Sequence, residues 1–483
     1  MKPLKELLAN WVPPDKVPPM VISGLSLDSR RIRSGQAFIA VAGERGHGLD
    51  YAAQAVEAGA LVVLHDGRQP VPDLPGTLFI EVPELGRMLP ELARRFWKEP
   101  ASGLDLIAVT GTNGKTSVAW LLAQALGGGI IGTLGVGRPG NLVPATHTTP
   151  DVLGVYGALA RLRAGGVRTV VLEASSHALA QGRLEGLAFT TTVFTNLGQD
   201  HLDYHADFQA YGEAKSRLFT DHSSRRKLIC SDDAFGRELA GRFRGRNGLL
   251  TYGLNPAHDP DVLGEIRHAD LDGLELAIQL PAGRFAVDTR LLGRANALNL
   301  LVVAAELHQR GLGTLEIGEI IDGLEPVPGR MNCMSGPSGQ VVVIDYAHSP
   351  DALENALDSL RGLCPGDLWC VFGCGGERDR AKRPRMGAIA ENLADRIVLT
   401  DDNPRGEDGM AIIREIQAGM ARPDRCLVNR NRGEAIFSAV TEARPGDVVL
   451  VAGKGHETVQ VIGDQRLKFS DFEAVAAALE AAA

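Results

Sequence analysis

Residues 104–126, LDLIAVTGTNGKTSVAWLLAQAL, constrain the chain more than any other stretch. An apolar run of strand length leads into a Gly-rich turn, and the turn opens an amphipathic helical pattern. A strand–turn–helix unit of this kind belongs in an α/β layer, with the helix packed on a mainly parallel sheet. The turn has the makings of a phosphate cradle. Gly111 and Gly114 let the backbone approach an anion closely, and the N–H groups of Gly111, Thr112, Asn113, Gly114, Lys115, Thr116 and Ser117 face the negative charge from a helix N-terminus. Lys115 can reach the β- and γ-phosphates of ATP, and the Thr116 hydroxyl can sit on Mg²⁺. The loop is the short TGTNGKT form, with Val109 where the longer form begins with glycine.

The same alternation runs through the rest of the chain. At ~150 residues per domain, 483 residues suggest three domains. Residues 1–98 read as a small α/β unit, with strand-like runs at Ala37 to Val41 and LVVLH (61–65) around the helical DYAAQAVEAGA. The polar WKEPASGLD (97–105) reads as a linker. Residues 99–330 form the central domain, with strand-like runs at 106–110, 167–174 and 191–197; a break falls at PVPGRMN (326–332). Residues 331–483 form a second open, Rossmann-like α/β domain with runs VVVID (341–345), LWCVFG (368–373), RIVLT (396–400) and VVLVAG (448–453). The fold class expected is therefore α/β in three domains. The net charge is −9 with no basic stripe, which argues against a nucleic-acid partner. Six cysteines without a CxxC pair argue against a disulfide framework or zinc site and fit a reducing cytoplasm. The N-terminal residues lack the apolar core of a signal peptide, and no apolar run reaches ~20 residues, so no membrane span is expected.

Ligands of open α/β sheets bind past the carboxyl ends of strands. Glu173, before SSHALAQGR, and His201, in NLGQDHLDYH, lie there and are candidate metal ligands near the phosphate loop. Either alone also reads as an ordinary loop residue. Lys215, in YGEAKSRLF, reads from spacing alone as a solvated helix lysine.

Taken in order, TGTNGKTS, EASSH, NLGQDHLDYH, YGEAKSRLF, GRANALN, PGRMN and DYAHSPDAL resemble the motifs of the Mur ligases of peptidoglycan precursor synthesis, over nearly the whole chain. That resemblance implies an ATP-dependent amide-bond ligase with Mg²⁺, in which Thr116, Glu173, His201 and Lys215 serve the metal. Lys215 matches the lysine that CO₂ converts to a carbamate, turning a cation into an anion able to hold Mg²⁺. Asn296 resembles an adenine contact, and Arg330 and Asp345 resemble nucleotide contacts. The resemblance makes residues 1–98 a uridine-nucleotide domain, with Leu27 and Ser29 as contacts and Glu44, Arg45 and Gly46 as a nearby loop; a strand and turn without a ligand is the plain alternative. Thr148, Thr149, Ser175, Gln181 and Arg183 match contacts to the muramoyl part. His147 stands where the family often has Asn, and no role is assigned to it.

Two further motifs, DNPR (402–405) and GKGHE (453–457), follow strand-like runs. Arg405 can grip a carboxylate with two prongs, Arg378 can offer a second contact, and Glu457 can pair with an ammonium group. In the family, DNPR resembles the signature for meso-diaminopimelate, which makes Asp402, Asn403, Pro404, Arg405, Gly453, Glu457 and Arg378 the expected amino-acid site. A surface turn with ordinary ion pairs is the alternative. The acceptor implied is UDP-N-acetylmuramoyl-L-alanyl-D-glutamate, and hinge closure is expected to assemble the sites in a cytoplasmic monomer. Rivals are the same ligation with L-lysine, a folate polyglutamate-type ligase, or a nucleotide-dependent binding module without ligase chemistry.

Overall fold

The computed structural model describes residues 1–43, 46–198, 200, 204–337 and 339–482. Glu44, Arg45 and His201 lie outside the described residues. The chain forms two compact units. One comprises Met1–Ala108, Gly127–Thr190 and Arg217–Ser224; the other comprises Val109–Leu126, Thr191–Ser216 and Arg225–Ala483. The α/β class is as expected, and the strand-like runs become strands.

In the first unit, Leu25–Ser26, Ala37–Ala40, Val62–His65 and Phe79–Glu81 form a four-stranded parallel sheet in that order. The two central strands are buried along their whole length, which is why they read as unbroken apolar runs. The short outer strands lack such a run and escape a reading by periodicity. The unit also holds Thr169–Glu173, parallel to Gly129–Gly132, which turns antiparallel through Gly135–Arg138 and Asn141–Val143. The helix Val152–Ala164 begins at Asp151, whose carboxylate accepts from Gly154 N at 2.8 Å. It packs against the helix Leu85–Trp97, with Gly157 leaving room for the Trp97 ring.

In the second unit, the strands Ser224–Cys230, Leu249–Gly253 and Val262–Ala269 run parallel. The sheet then continues antiparallel through Leu274–Leu280 and Gly283–Thr289. The helix Lys115–Ala125 is not amphipathic: Thr116 through Ala123 are all buried, because the long buried helix Gly293–Gln309 packs on it.

The C-terminal sheet of this unit has the order Asn332–Ser335, Val341–Asp345, Val448–Ala452, Leu368–Phe372, Arg396–Leu399, Leu427–Val428. The first strand is antiparallel and the rest are parallel, with apolar clusters on both faces. The motifs DYAHSPDAL, GCGGERDR, DNPR and GKGHE each leave the carboxyl end of one of four neighbouring parallel strands, so the topology alone gathers them at one edge. Beneath that edge, Arg432 and Asp471 form a fully buried two-pronged ion pair (2.7 and 2.8 Å) that fastens the helix Asp471–Ala481. Among the described residues, no helix is long and apolar enough to cross a membrane.

Candidate functional site

The phosphate loop leaves the strand Asp105–Thr110 and enters the helix Lys115–Ala125 through two glycines with positive φ, Gly111 (+148°) and Gly114 (+86°). A Cβ on Gly111 would lie 1.8 Å from Thr195 Oγ1, so no larger residue fits. The loop is braced from the segment after Phe189–Phe194. Asn113 N donates to Asn196 Oδ1 (2.9 Å), Thr195 Oγ1 donates to Asn113 O (2.6 Å), and Gly198 N donates to Thr112 Oγ1 (2.9 Å). Lys115 Nζ folds back onto the carbonyls of Gly111 and Thr112, both at 2.8 Å. The hydroxyls of Thr116 and Ser117 belong to buried residues at the helix start.

Lys215 is not a solvated helix lysine. Its side chain is 1% exposed, its Nζ donates to the same Gly111 carbonyl (2.7 Å), and it lies over the Tyr211 ring at 4.3 Å. Burial, then the Lys115 charge, hold its ammonium well below the usual lysine range. The Tyr211 hydroxyl reaches Thr112 Oγ1 at 3.1 Å, which ties this helix to the loop.

Asn296 is buried on the helix Gly293–Gln309, donates to Leu292 O (2.9 Å) and accepts from Asn299 Nδ2 (3.1 Å). The Arg330 guanidinium stacks on the Tyr346 ring at 4.5 Å. Burial pushes the neighbouring Asp345 carboxyl up to about 6, although Arg330 and the Met331 amide (2.8 Å) pull the other way. Here two loops meet backbone to backbone. A Cβ on Gly329 (φ +72°) would lie 2.1 Å from His456 N, and one on Gly455 (φ +52°) would lie 2.7 Å from Gly329 O.

In the first unit, Glu173 ends its strand fully buried. Thr133 donates to both carboxylate oxygens, N to Oε1 at 2.8 Å and Oγ1 to Oε2 at 3.1 Å. The network continues through Thr148 Oγ1 to Thr133 Oγ1 (3.1 Å), Thr149 Oγ1 to the Glu173 carbonyl (2.6 Å), and Thr149 to Ser175 (3.2 Å). Arg183 donates to Thr149 O and to Gln181 Oε1, both at 2.7 Å. Thr148, Thr149, Glu173, Ser175, Gln181 and Arg183 are thus one hydrogen-bonded set. Beside it opens a cavity of about 840 Å³ lined by Leu27, Gly46, His147, Gln181 and Arg183. Ser29 does not line it, and its hydroxyl bonds Gln54 Oε1 at 2.6 Å instead. His47 does line it, held by Asp66 through Nε2 (2.9 Å) while Nδ1 accepts from Leu49 N.

At the C-terminal edge, Asp402, Asn403 and Pro404 are buried and Arg405 is half-buried with φ +51°. Arg405 Nη1 donates to Gly376 O at 2.7 Å. Burial and then the Arg378 charge lower the Arg405 guanidinium, so two cations stand close enough to repel. Glu457 accepts from Asn403 Nδ2 (2.8 Å) and Lys454 Nζ (2.9 Å). Burial alone would raise its carboxyl, but Lys454 and Asn403 overcome that and hold it below the usual range. Gly453 (φ +119°) is required, because a Cβ there would lie 2.5 Å from Asp402 Oδ2.

Three family models match in register with these sites: the Mur ligase family catalytic domain at 21–97, the Mur ligase middle domain at 109–307, and the Mur ligase glutamate ligase domain at 329–455. A UDP-N-acetylmuramoyl-L-alanyl-D-glutamate–2,6-diaminopimelate ligase of Alkalilimnicola ehrlichii is 46% identical, with 99% of each chain covered. The chain belongs to the Mur ligase family. The Pseudomonas aeruginosa protein of the same name is 45% identical over 96% of each chain. A solved structure of a ligase so named matches with a TM-score of 0.67 at 35% identity, covering 100% of this chain and 99% of the other.

As a Mur ligase, the protein forms amide bonds at the expense of ATP. The sequence reading of this Mur ligase missed Thr133, His47 and Lys454. Thr133 follows the strand Gly129–Gly132, so a polar residue past a strand end was there to be read. His47 gives no signal beyond its loop, and Lys454 lies inside GKGHE but stands out only once its burial is known. Among the described residues, no group of three His, Cys, Asp or Glu side chains is arranged as a metal site.

Proposed function

We propose that this Mur ligase joins meso-diaminopimelate to the D-glutamate γ-carboxylate of UDP-N-acetylmuramoyl-L-alanyl-D-glutamate. The observation that carries the reading is the charge pattern at the C-terminal edge. Arg405 and Arg378 suit two carboxylates, and the ionised Glu457 suits an ammonium group. The names of the relatives support it, and the 840 Å³ cavity offers room for the nucleotide-linked acceptor.

In the reaction, the γ-carboxylate oxygen attacks the γ-phosphorus of ATP, the bond to the ADP oxygen breaks, and an acyl phosphate forms. The neutral amine of diaminopimelate attacks the acyl carbon to give a tetrahedral intermediate, which expels phosphate and loses a proton. Lys115, on the loop carbonyls in this structure, is placed to turn to the transferred phosphoryl group, where its charge matters most. The loop amides of residues 111–117 bind the phosphates, with Asn296, Arg330 and Asp345 as nucleotide contacts.

By their chemistry the residues that the family resemblance names suit Mg²⁺: the Thr116 hydroxyl, the Glu173 carboxylate and a carbamate on Lys215 as oxygen donors, with His201 as a nitrogen donor. Mg²⁺ held by these donors would offset phosphate charge. Lys215 as an ammonium cannot ligate a cation; its burial beside Lys115 and its lowered proton affinity favour the neutral amine that CO₂ attacks. The nucleotide-linked substrates and six free thiols support a cytoplasmic setting.

The experiment is ADP release with the UDP-muramoyl dipeptide, ATP and a panel of amino acids. Turnover that requires both the dipeptide and meso-diaminopimelate supports the reading. Preference for L-lysine, for a folate acceptor, or hydrolysis without either substrate overturns it.

A further inference from the structure

Lys454 is fully buried and unused by the mechanism above. An ammonium has three donors, and all three are engaged: Val459 O at 2.8 Å, Glu457 Oε2 at 2.9 Å and Asn403 Oδ1 at 3.2 Å. Asn403 completes a triangle, since its Nδ2 donates to the same Glu457 Oε2 at 2.8 Å. One carboxylate oxygen of Glu457 is therefore tied by two donors. Among the described residues, Oε1 takes no hydrogen bond, and the Glu457 side chain is 32% exposed.

The buried pair below makes the contrast. Arg432 and Asp471 are both 0% exposed and grip each other with two prongs, as a pair that serves only the scaffold does. Lys454–Glu457 is lopsided, with the cation sealed and the anion half-presented. For closing the loop 453–459 alone, an apolar side chain would avoid the cost of burying an ammonium.

We propose that Lys454 is a positioning residue for the amino-acid substrate: it anchors one oxygen of Glu457 so that the other accepts from the substrate's ammonium group. This rests on the diaminopimelate reading of the site. Other groups whose charge reaches Glu457 are His456 on its own segment, Tyr346 after the strand Val341–Asp345, Asp402 and Arg405 in DNPR, and Arg432 beneath. None but Lys454 and Asn403 donates a hydrogen bond to it.

The test is steady-state kinetics of wild type, Lys454→Met, Glu457→Gln and the double variant with ATP, the dipeptide and meso-diaminopimelate. Lys454→Met should raise KM for diaminopimelate on the order of 10²-fold, with KM for ATP changed less than about twofold. In the Glu457→Gln background the same substitution should add almost nothing, because it acts through the missing carboxylate. The acid limb of kcat/KM for diaminopimelate should move to higher pH in Lys454→Met, as Glu457 loses the ammonium that keeps it ionised. Effects that multiply in the double variant, an unmoved acid limb, or equal KM increases for all substrates would overturn the inference. Should Lys454→Met fail to fold, Lys454→Arg decides: a several-fold KM rise confined to diaminopimelate supports the role, and an unchanged or uniform KM overturns it. Wild type that ligates no diaminopimelate sinks the functional reading itself, a result distinct from any in the variant series.

Discussion

Two lysines of this protein are buried to the same degree and differ in everything else. Lys454 meets a carboxylate, Glu457, at 2.9 Å. Lys215 donates to a carbonyl and lies over an aromatic face, and the Asp200 carboxylate that favours its charge is outweighed by burial and by another cation, Lys115. A buried charge that its surroundings do not fully offset is expensive. The molecule tolerates this at the phosphate loop, where ATP and a change of charge on the lysine are proposed to complete the balance, and avoids it at the C-terminal edge. The same division separates Asp345, pushed up to about 6, from Asp471, locked to Arg432. Buried charges paired tightly within the fold serve stability or positioning; those that burial outweighs, Lys215 and Asp345, lie where the nucleotide is proposed to bind.

Each side of that division can be attacked. Asp471→Asn removes half of a balanced pair and should lower stability by about 3–5 kcal/mol, read by urea titration; a loss below about 1 kcal/mol would break the scaffold side. Lys115→Ala should leave the melting temperature intact and reduce kcat on the order of 10²–10³-fold; near-normal turnover would remove the phosphate loop from the argument. Asp345 gives a pH test. Its folded proton affinity is raised, so between pH ~4 and ~6 the native state holds a proton that the unfolded chain has lost. Stability falls as pH rises through that window, by up to about 3 kcal/mol, and stays lower above it. Asp345→Asn should abolish that slope and raise the KM for ATP; an unchanged slope would show that the carboxyl is not held protonated. Arg405→Ala should raise the KM for diaminopimelate about thirtyfold, roughly 2 kcal/mol, without touching that for ATP. The smallest and most reversible effect belongs to Lys215: activity should fall in CO₂-depleted or mildly acidic buffer and return with bicarbonate, and a bound-state map showing a plain ammonium there would refute the carbamate.

The long apolar runs, such as Ala37–Ala40 and Val448–Ala452, were legible because strands buried on both faces need no alternation. The edge strands Asn332–Ser335 and Leu427–Val428 were not, since half-exposed short strands carry too little pattern. The helix after the phosphate loop read as amphipathic because a second helix covering its outer face is a tertiary fact. Site residues inside motifs could be named in order, but their state could not. Spacing made Lys215 solvated, whereas packing by Tyr211 seals it. Thr133 donates to Glu173, and Lys454 shares Glu457 with Asn403, partners far away in sequence that only the fold brings there.

The backbone contact between Gly329 and the His456 amide has a consequence for traffic through the enzyme. Gly329 precedes Arg330, and His456 precedes Glu457. With no side chain between the two loops, neither can move toward the other by even about an ångström without pushing it. A displacement of the Arg330 loop toward this contact would therefore press on the loop that carries Glu457, and a fluorophore or spin label on the second loop would register it. On the proposed reading, a nucleotide that presses Arg330 toward this contact would be felt at the amino-acid site with no side chain in between to absorb the movement.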